Sequence, residues 1–133
     1  MVTCQSHHIK GEMKNTCLKG NIVEAKVLAK SIELGYKVFI PFGEGHKCDL
    51  IIQTNSGDLK KIQIKACRET KYNSLTMNLY SNGGGYNKVK YSKSDVDYFA
   101  TEFKNQFYLI PIEDVETKNT ICFKKDSYEF QVI

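Results

Sequence analysis

The sequence predicts an α/β domain with a mixed β-sheet flanked by helices, in the element order α-β-β-β-β-α-β. Three observations support this fold class. Apolar residues near the N-terminus recur at spacings of three and four, two short apolar runs are joined by a hairpin turn signal, and a further apolar run lies near the C-terminus. The chain of 133 residues has the length of one domain. We expect a flexible N-terminal segment at 1–16 and a single domain at 17–133.

The predicted elements follow from apolar periodicity and from the residues that interrupt it. A helix is expected over about 17–34, because apolar residues recur on one face and Gly35 is a typical residue just after a helix end. Val96 and Phe99, an apolar i, i+3 pair that follows a serine cap, predict a short second helix over 92–103. The apolar stripe of the first helix consists of Leu18, Ile22, Ala25, Ala29 and Ile32. Strands are predicted at 36–41, 48–54, 59–67, 74–80 and 106–112, with one more in the tail.

The composition is that of a soluble globular protein. Hydrophobic residues make up 41% and charged residues 26% of the chain, and no apolar run approaches the length of a membrane span. The N-terminus lacks an apolar leader, so we expect a cytoplasmic location and no membrane partner. The five cysteines are odd in number and lack CxxC spacing, which favours reduced, mostly buried thiols over a disulfide framework or a zinc finger.

Positive charge is concentrated in the middle third of the chain. Residues 58–93 contain eight Lys or Arg against two Asp or Glu, a balance of +6. Residues 94–133 contain four against eight, a balance of −4. A local basic field suits a polyanion, although it is also compatible with an ordinary solvated face.

The stretch 47–67 (KCDLIIQTNSGDLKKIQIKAC) has polar side chains where a core hairpin would prefer Val or Ile. Strand side chains alternate, so Gln63 and Lys65 share one face, and a closed hairpin places Asp49 at the same end of the adjacent strand. The Asp49 carboxylate, the Gln63 side-chain oxygen and the Ile64 carbonyl oxygen are ligands that a hard cation such as Mg²⁺ takes. Lys65 beside them can orient or deprotonate an attacking water, or stabilise a pentavalent phosphate. In the plainer interpretation, Asp49 caps its strand and the other two side chains face solvent.

The order of these residues resembles the core of the PD-(D/E)XK (restriction-endonuclease-like) nuclease superfamily. In that core, a helix with a Glu precedes a β-hairpin that carries Asp and then (E/Q)xK. The matching residues are Glu24, in GNIVEAK, then Asp49, Gln63, Ile64 and Lys65. Downstream, SDVDYFA and QFYLIPIEDV resemble the branch that contains the homing endonucleases encoded within group I introns, and the likeness spans about 17–115. It implies a Mg²⁺-dependent DNA endonuclease that hydrolyses phosphodiester bonds, with Mn²⁺ able to replace Mg²⁺, and it implies that Glu24 is an auxiliary acid at the metal.

The sequence departs from the family pattern at two positions. Cys48 stands where many relatives have Pro, and Gln63 replaces the commoner Glu, which removes a negative charge from the metal site. The intron-encoded branch is similar in tolerating Gln there, so the change does not by itself imply an inactive enzyme. A site-specific homing endonuclease of the intron-encoded kind is the favoured interpretation. The alternatives are a Holliday junction resolvase-like nuclease of the same fold and a catalytically silent DNA-binding protein.

The segment between the hairpin and the second predicted helix is basic and rich in Tyr and Asn. Lysines anchor phosphates, whereas Arg and Asn read base edges in the major groove. The residues expected to contact double-stranded DNA are Arg68, Lys71, Tyr72, Asn73, Tyr86, Asn87, Lys88 and Lys90. The plainer alternative is a flexible basic loop whose tyrosines pack on the sheet, and Tyr91 in particular is expected in the core. One domain of this size covers part of a long target, so cleavage of both strands calls for a homodimer or homotetramer.

Overall fold

The fold is built around a mixed five-stranded β-sheet with one long helix on one face. The computed structural model describes residues 12–81 and 88–133. The helix α1 spans Glu12–Glu33, and a short 3₁₀ turn covers Ile112–Asp114. The strands are β1 (Lys37–Phe39), β2 (Leu50–Gln53), β3 (Leu59–Ile64), β4 (Arg68–Glu69), β5 (Leu75–Asn78), β6 (Tyr80–Ser81), β7 (Val89–Lys90), β8 (Tyr98–Phe103), β9 (Gln106–Pro111) and β10 (Thr120–Phe123).

The main sheet has the strand order β1-β2-β3-β8-β9. Strands β3 and β8 run parallel, and the other neighbouring strands are antiparallel. The β2–β3 hairpin turns at Gly57, whose φ of 95° is a left-handed value that glycine adopts without strain. A three-stranded sheet of order β10-β5-β4 and the β6–β7 hairpin complete the described strands. The predicted mixed sheet and the predicted β2–β3 hairpin are therefore confirmed.

Two apolar cores lie on opposite faces of the main sheet. On the helix side, Val23 and Val27 of α1 pack with Ile62 and Ile64 of β3. Cys67, just beyond β3, belongs to the other core, as the predicted alternation along this strand requires. Strands β5 and β10 cover that second face. The largest fully buried side chains of the second core are Tyr108, Phe99, Leu75, Met77, Ile110 and Ile112.

The face of α1 that packs on the sheet is not the predicted apolar stripe. Within residues 17–33 of the helix, the buried side chains are those of Val23, Val27 and Ser31, with 4%, 0% and 0% of their surface exposed. The stripe faces solvent instead: Leu18 is 51% exposed, Ile22 is 45% and Ile32 is 58%, and Ala25 and Ala29 are also exposed. The helix has apolar residues on two sides, and both sets satisfy the same periodicity. The period could therefore predict the helix but not the side that meets the sheet.

The predicted second helix over 92–103 is wrong. Ser92 begins a turn, in which its N–H donates to Asp95 Oδ2 at 2.9 Å and the Val96 N–H donates to the Ser92 carbonyl at 3.1 Å. Residues from Tyr98 onward form β8, which lies between β3 and β9. A strand that is buried on both faces lacks the alternation of apolar and polar residues that identifies a strand in a sequence. The three-residue spacing of Val96 and Phe99 then resembles the spacing in a helix. The predicted order α-β-β-β-β-α-β is corrected accordingly.

The first helix begins at Glu12, earlier than the predicted start near residue 17. It therefore crosses the expected boundary between a segment at 1–16 and a domain at 17–133, and that division stays a prediction. No helix among the described residues combines the length and the hydropathy that crossing a membrane requires.

The cysteines differ from the expected set of reduced, mostly buried thiols. Cys48, Cys67 and Cys122 are free, and of these three Cys67 is buried whereas Cys122 is exposed. Cys17 is disulfide-bonded, which contradicts the expectation at that position.

Candidate active site

Asp49 lies just before β2, at the end of the sheet where β3 also ends. Its backbone N–H donates to the Ile62 carbonyl at 2.8 Å, one residue out of the register of the β2–β3 ladder, which ties Asp49 to β3 beside Gln63. Its side-chain Oδ2 accepts the N–H of Ile64, also at 2.8 Å. These two bonds hold the carboxylate in one orientation at the end of the hairpin.

Glu24 brings a second carboxyl group from α1 to the same point. Its carboxyl group is close enough to the Asp49 carboxyl group for the two to interact. Burial raises the pKa of Glu24, and the negative charge of Asp49 and the contact between the two side chains raise that pKa further. Two carboxyl groups in contact repel each other when both are ionised, and a cation bound between them removes the repulsion.

Gln63 and the backbone of Ile64 supply further oxygen atoms at this point. The partly buried Gln63 side chain donates from Nε2 to the Ile64 carbonyl at 3.5 Å, while the N–H of Ile64 binds Asp49. Ile64 therefore contacts both polar side chains through its two backbone groups. The three oxygen donors expected from the sequence, on Asp49, Gln63 and Ile64, lie together.

Lys65 directly follows β3 and is partly buried. Its Nζ donates to the Tyr80 carbonyl at 2.9 Å and lies 5.3 Å from the centre of the Tyr91 ring. Burial lowers the pKa of Lys65, while the negative charge of Asp49 acts in the opposite direction. The amine is thus near enough to Asp49 to respond to its charge, and it is bonded to β6.

Sequence reasoning missed the groups that hold Lys65. Tyr91 is 8% exposed and packs edge-to-face on Phe99, with ring centres 5.4 Å apart, so its expected place in the core is correct. Tyr91 also contacts Lys65, and its hydroxyl lies near Ser81. Tyr80 contributes a backbone carbonyl, and a backbone group leaves no signal in residue type. The tyrosines interleaved with lysines in this segment were the usable signal for the Tyr91 contact.

A family model described as PD-(D/E)XK endonuclease matches residues 14–129 of the chain. The chain belongs to the PD-(D/E)XK endonuclease family. In fold, this PD-(D/E)XK endonuclease is similar to the solved structure of a bacterial homing endonuclease, I-Ssp6803I, with a TM-score of 0.70 and 21% sequence identity over 87% of this chain and 83% of the other. A search of curated proteins finds no significant match. The predicted superfamily and fold class are confirmed.

The donor set of this PD-(D/E)XK endonuclease fits the divalent metal ions that such nucleases generally use. Among residues 12–81 and 88–133, no group of three or more His, Cys, Asp and Glu could hold a metal. The Glu24–Asp49 pair supplies the charge, and the neutral oxygens of Gln63 and Ile64 supply the further ligands that hard cations accept. The closeness of the two carboxyl groups is the observation that supports the fit.

The residues predicted to contact DNA fall into two groups. The first group is the turn between β4 and β5. Arg68 and Tyr72 are exposed, Lys71 Nζ lies 5.2 Å from the centre of the Tyr72 ring, and the Asn73 side-chain oxygen accepts a hydrogen bond from Lys125 Nζ at 2.6 Å. Asn73 is thus engaged within the protein, whereas Arg68 is exposed.

The second group, on the β6–β7 hairpin, borders the candidate site. Lys90 lies opposite Tyr80 in the register of β6 and β7, and the Tyr80 carbonyl accepts the hydrogen bond from Lys65. Lys88 Nζ lies 4.6 Å from the centre of the Tyr80 ring, and Lys90 Nζ donates to the Thr117 carbonyl at 3.3 Å. The predicted contacts that lie outside the described residues are Tyr86 and Asn87.

Proposed function

We propose that this PD-(D/E)XK endonuclease is a magnesium-dependent DNA endonuclease whose role is site-specific cleavage, as in a homing endonuclease. The observation that carries the proposal is the contact between the Glu24 and Asp49 carboxyl groups, at the end of the hairpin that also carries Gln63 and Lys65. Two like charges this close together repel each other and destabilise the fold. A divalent cation bound between them would remove the repulsion and use both carboxylates as ligands.

Four groups would hold Mg²⁺: the carboxylates of Asp49 and Glu24, the side-chain oxygen of Gln63 and the carbonyl of Ile64. Mn²⁺ would accept the same donors. When bound, the cation polarises the scissile phosphodiester and stabilises its developing charge. The Ile64 N–H keeps the Asp49 carboxylate oriented, and Glu24 adds negative charge to a site where Gln63 is neutral.

Lys65 acts on the attacking water and on the phosphate. Burial favours its neutral amine, which accepts a proton, while Asp49 favours the charged form. The bond to the Tyr80 carbonyl and the adjoining Tyr91 ring fix its position. In its protonated form, the amine stabilises negative charge on the pentavalent phosphate.

Double-stranded DNA is the proposed substrate because basic residues flank the site. Lys88 and Lys90 adjoin the strand that holds Lys65, so they are placed to bind phosphates beside the scissile bond. The further proposed DNA contacts are Arg68, Lys71, Tyr72, Asn73, Tyr86 and Asn87.

The homing role draws on two likenesses. The order of the site residues resembles the intron-encoded branch, and the structural neighbour is a bacterial homing endonuclease. Cutting both strands of a duplex takes two copies of one site, which supports a homodimer or a homotetramer.

The test compares Lys65→Ala with Lys60→Ala, a lysine variant in the same strand. Mg²⁺-dependent nicking of supercoiled plasmid by Lys65→Ala should fall by roughly a thousandfold, while its binding to duplex DNA in chelator stays unchanged. Lys60→Ala should nick at nearly the wild-type rate. A Lys65→Ala protein that nicks normally overturns the proposed role of the amine.

Two substrates offered in parallel separate the proposal from its nearest rival. The wild-type protein should cleave a randomised linear duplex library at one selected sequence and should leave four-way junctions intact. Preference for the junction would indicate a resolvase-like nuclease of the same fold. No nicking with Mg²⁺ or Mn²⁺ would instead favour a catalytically silent DNA-binding protein.

A further inference from the structure

The exposed apolar stripe of α1 has a regular spacing. Its residues, Leu18, Ile22, Ala25, Ala29 and Ile32, follow one another at intervals of four, three, four and three. This alternation is the repeat of the a and d positions in a coiled coil, with a mean period of 3.5 residues. At a rise of 1.5 Å per residue, the stripe extends about 21 Å along the helix.

The main sheet of the same chain does not use this stripe. Val27 faces the sheet and is fully buried, whereas Ala25, two residues earlier, is exposed and lies about 200° around the helix axis. A helix with apolar residues on both sides is normally covered on both sides. Leu18, Ile22 and Ile32 are about half exposed, so this second side of α1 has the character of an interface.

We propose that α1 of a second copy of this chain covers the stripe, in an antiparallel helix pair whose two-fold axis passes near Ala25. Ala25 lies midway between Leu18 and Ile32, so the antiparallel arrangement places the Leu18 end of one stripe beside the Ile32 end of the other. The small side chains of Ala25 and Ala29 let the two helices approach closely at the centre.

Charges along one flank of the stripe favour the antiparallel direction. Lys19 lies near the start of the stripe and Glu33 lies just past its end, on the same side of the helix. In an antiparallel pair, Lys19 of each copy lies near Glu33 of the other, which is attractive, while the two Lys26 residues that meet near the axis are each paired with Glu102 of their own chain. In a parallel pair, the two copies of this flank lie on opposite sides of the contact, so the attraction between Lys19 and Glu33 is absent.

A groove beside the Leu18 end of the stripe has room for apolar side chains of the second copy. It has a volume of about 450 Å³ and lies between α1 and the end of β8. Leu18, Ile22, Cys67 and Phe103 line it, and lysines surround it. In the antiparallel pair, Ile32 and Glu33 of the second copy reach this end of α1, so an apolar side chain meets the groove and an acidic one meets the lysines.

The proposed pair leaves both candidate sites open. Glu24 lies about 100° around the helix from its neighbour Ala25, so the side chain that reaches Asp49 points away from the helix–helix contact. A dimer built in this way presents two sites, one for each strand of a duplex. The pairing itself does not depend on the proposed cleavage activity.

The first test uses two residues of equal exposure. Ile32 in the stripe and Leu59 in β3 are both 58% exposed, so Ile32→Glu and Leu59→Glu are matched variants. Sedimentation equilibrium should show a wild-type dimer, a dimer for Leu59→Glu, and an association weakened by at least about a hundredfold for Ile32→Glu. Far-UV circular dichroism checks that each variant is folded. A wild-type monomer at all concentrations, or an Ile32→Glu dimer as tight as the wild type, overturns the proposal.

The second test is a charge exchange that reports the direction of the pair. Lys19→Glu should weaken the dimer about tenfold, because it places like charges together at both ends. Adding Glu33→Lys to the same chain should restore the wild-type association, since each new Glu then lies near a new Lys. A double variant that stays as weak as Lys19→Glu overturns the antiparallel arrangement.

Discussion

Two acidic spots in this PD-(D/E)XK endonuclease, both in contact with α1, have opposite surroundings. Glu102, in β8, is 7% exposed, and its Oε2 accepts hydrogen bonds from Lys26 Nζ at 3.1 Å and from the Asn105 N–H at 2.8 Å. Glu24, in contrast, meets the side chain of another acid, Asp49. One carboxylate has a cation and a backbone donor as partners, and the other has a second carboxyl group.

This difference separates an acid with a structural partner from the pair of acids that we propose to bind the metal. The partners of Glu102 neutralise it within the chain, so its contribution is to fasten α1 to β8. Glu24 meets the Asp49 carboxyl group instead, and burial, followed by the negative charge of Asp49, raises the pKa of Glu24. Perturbed acids of this kind cluster at functional sites. The comparison therefore predicts that changes at the first spot act on stability and that changes at the second act on chemistry.

The largest expected effect comes from Asp49→Asn. The amide keeps an oxygen that can accept the Ile64 N–H but loses the charge that binds a divalent cation, so Mg²⁺-dependent nicking should fall by about a thousandfold or more. The free energy of unfolding in chelator should not fall. Plasmid nicking and urea unfolding measure the two quantities. Normal nicking by this variant would contradict the assignment of Asp49 as a metal ligand.

The next effect in size is at Glu102. Replacing it by Ala leaves the Asn105 N–H and Lys26 without their carboxylate. Because Lys26 is 41% exposed and can regain water, the loss of stability should be about 2 kcal/mol rather than the larger value of a fully buried pair. Urea unfolding measures it, with Glu113→Ala as the control, since Glu113 is in the exposed pair with Lys93. At a temperature where the variant is folded, its nicking rate should stay within about tenfold of the wild-type rate. A complete loss of nicking would show that Glu102 is needed for cleavage as well as for stability.

The smallest effect is at Glu24 and depends on pH. The folded-state pKa of Glu24 is raised above its usual value of 4.5, so its contribution to stability is fully present below that value and is lost as the pH rises through the folded pKa. Glu24→Gln removes the repulsion, and it should stabilise the metal-free protein at neutral pH by about 0.5 kcal/mol after allowance for solvent screening.

Thermal unfolding in chelator, followed from neutral to acidic pH, checks the sign of this effect. The gain from Glu24→Gln should vanish below pH 4.5, where the wild-type side chain is protonated in both states. Glu102→Gln serves as the comparison, because it should lose stability at neutral pH. A Glu24→Gln protein that is less stable than the wild type at neutral pH would show that the pair is not repulsive.

The centre of the candidate site could be predicted because its determinants are local. A turn signal joins two apolar runs, and period-two alternation then places Gln63 on one face, beside Asp49. The contact between Glu24 and Asp49 followed from the family pattern alone, since the two residues lie in different elements. The Lys26–Glu102 pair joins residues that are 76 positions apart, so no local sequence pattern could predict this ion pair.

The misassigned elements show where periodicity stops being informative. Strand β8 is buried on both faces and Val96 is buried in the turn before it, so the apolar residues here show no period-two signal, and the spacing of Val96 and Phe99 suggested a helix. On α1, the stripe of Leu18 and Ile32 and the buried pair of Val23 and Val27 share one period. The choice between them depends on the sheet, which sequence spacing does not describe.

Lys26 is two residues beyond Glu24 on the same helix, so a contact of Lys26 also affects where Glu24 lies. The bond from Lys26 to Glu102 helps to hold α1 against β8, and Glu24 on the same helix reaches Asp49. A contact outside the proposed metal site thus helps to position one of the carboxyl groups that we propose to bind the cation. Weakening this bond would lower the stability of the chain, and it would reach cation binding only indirectly, through the placement of α1.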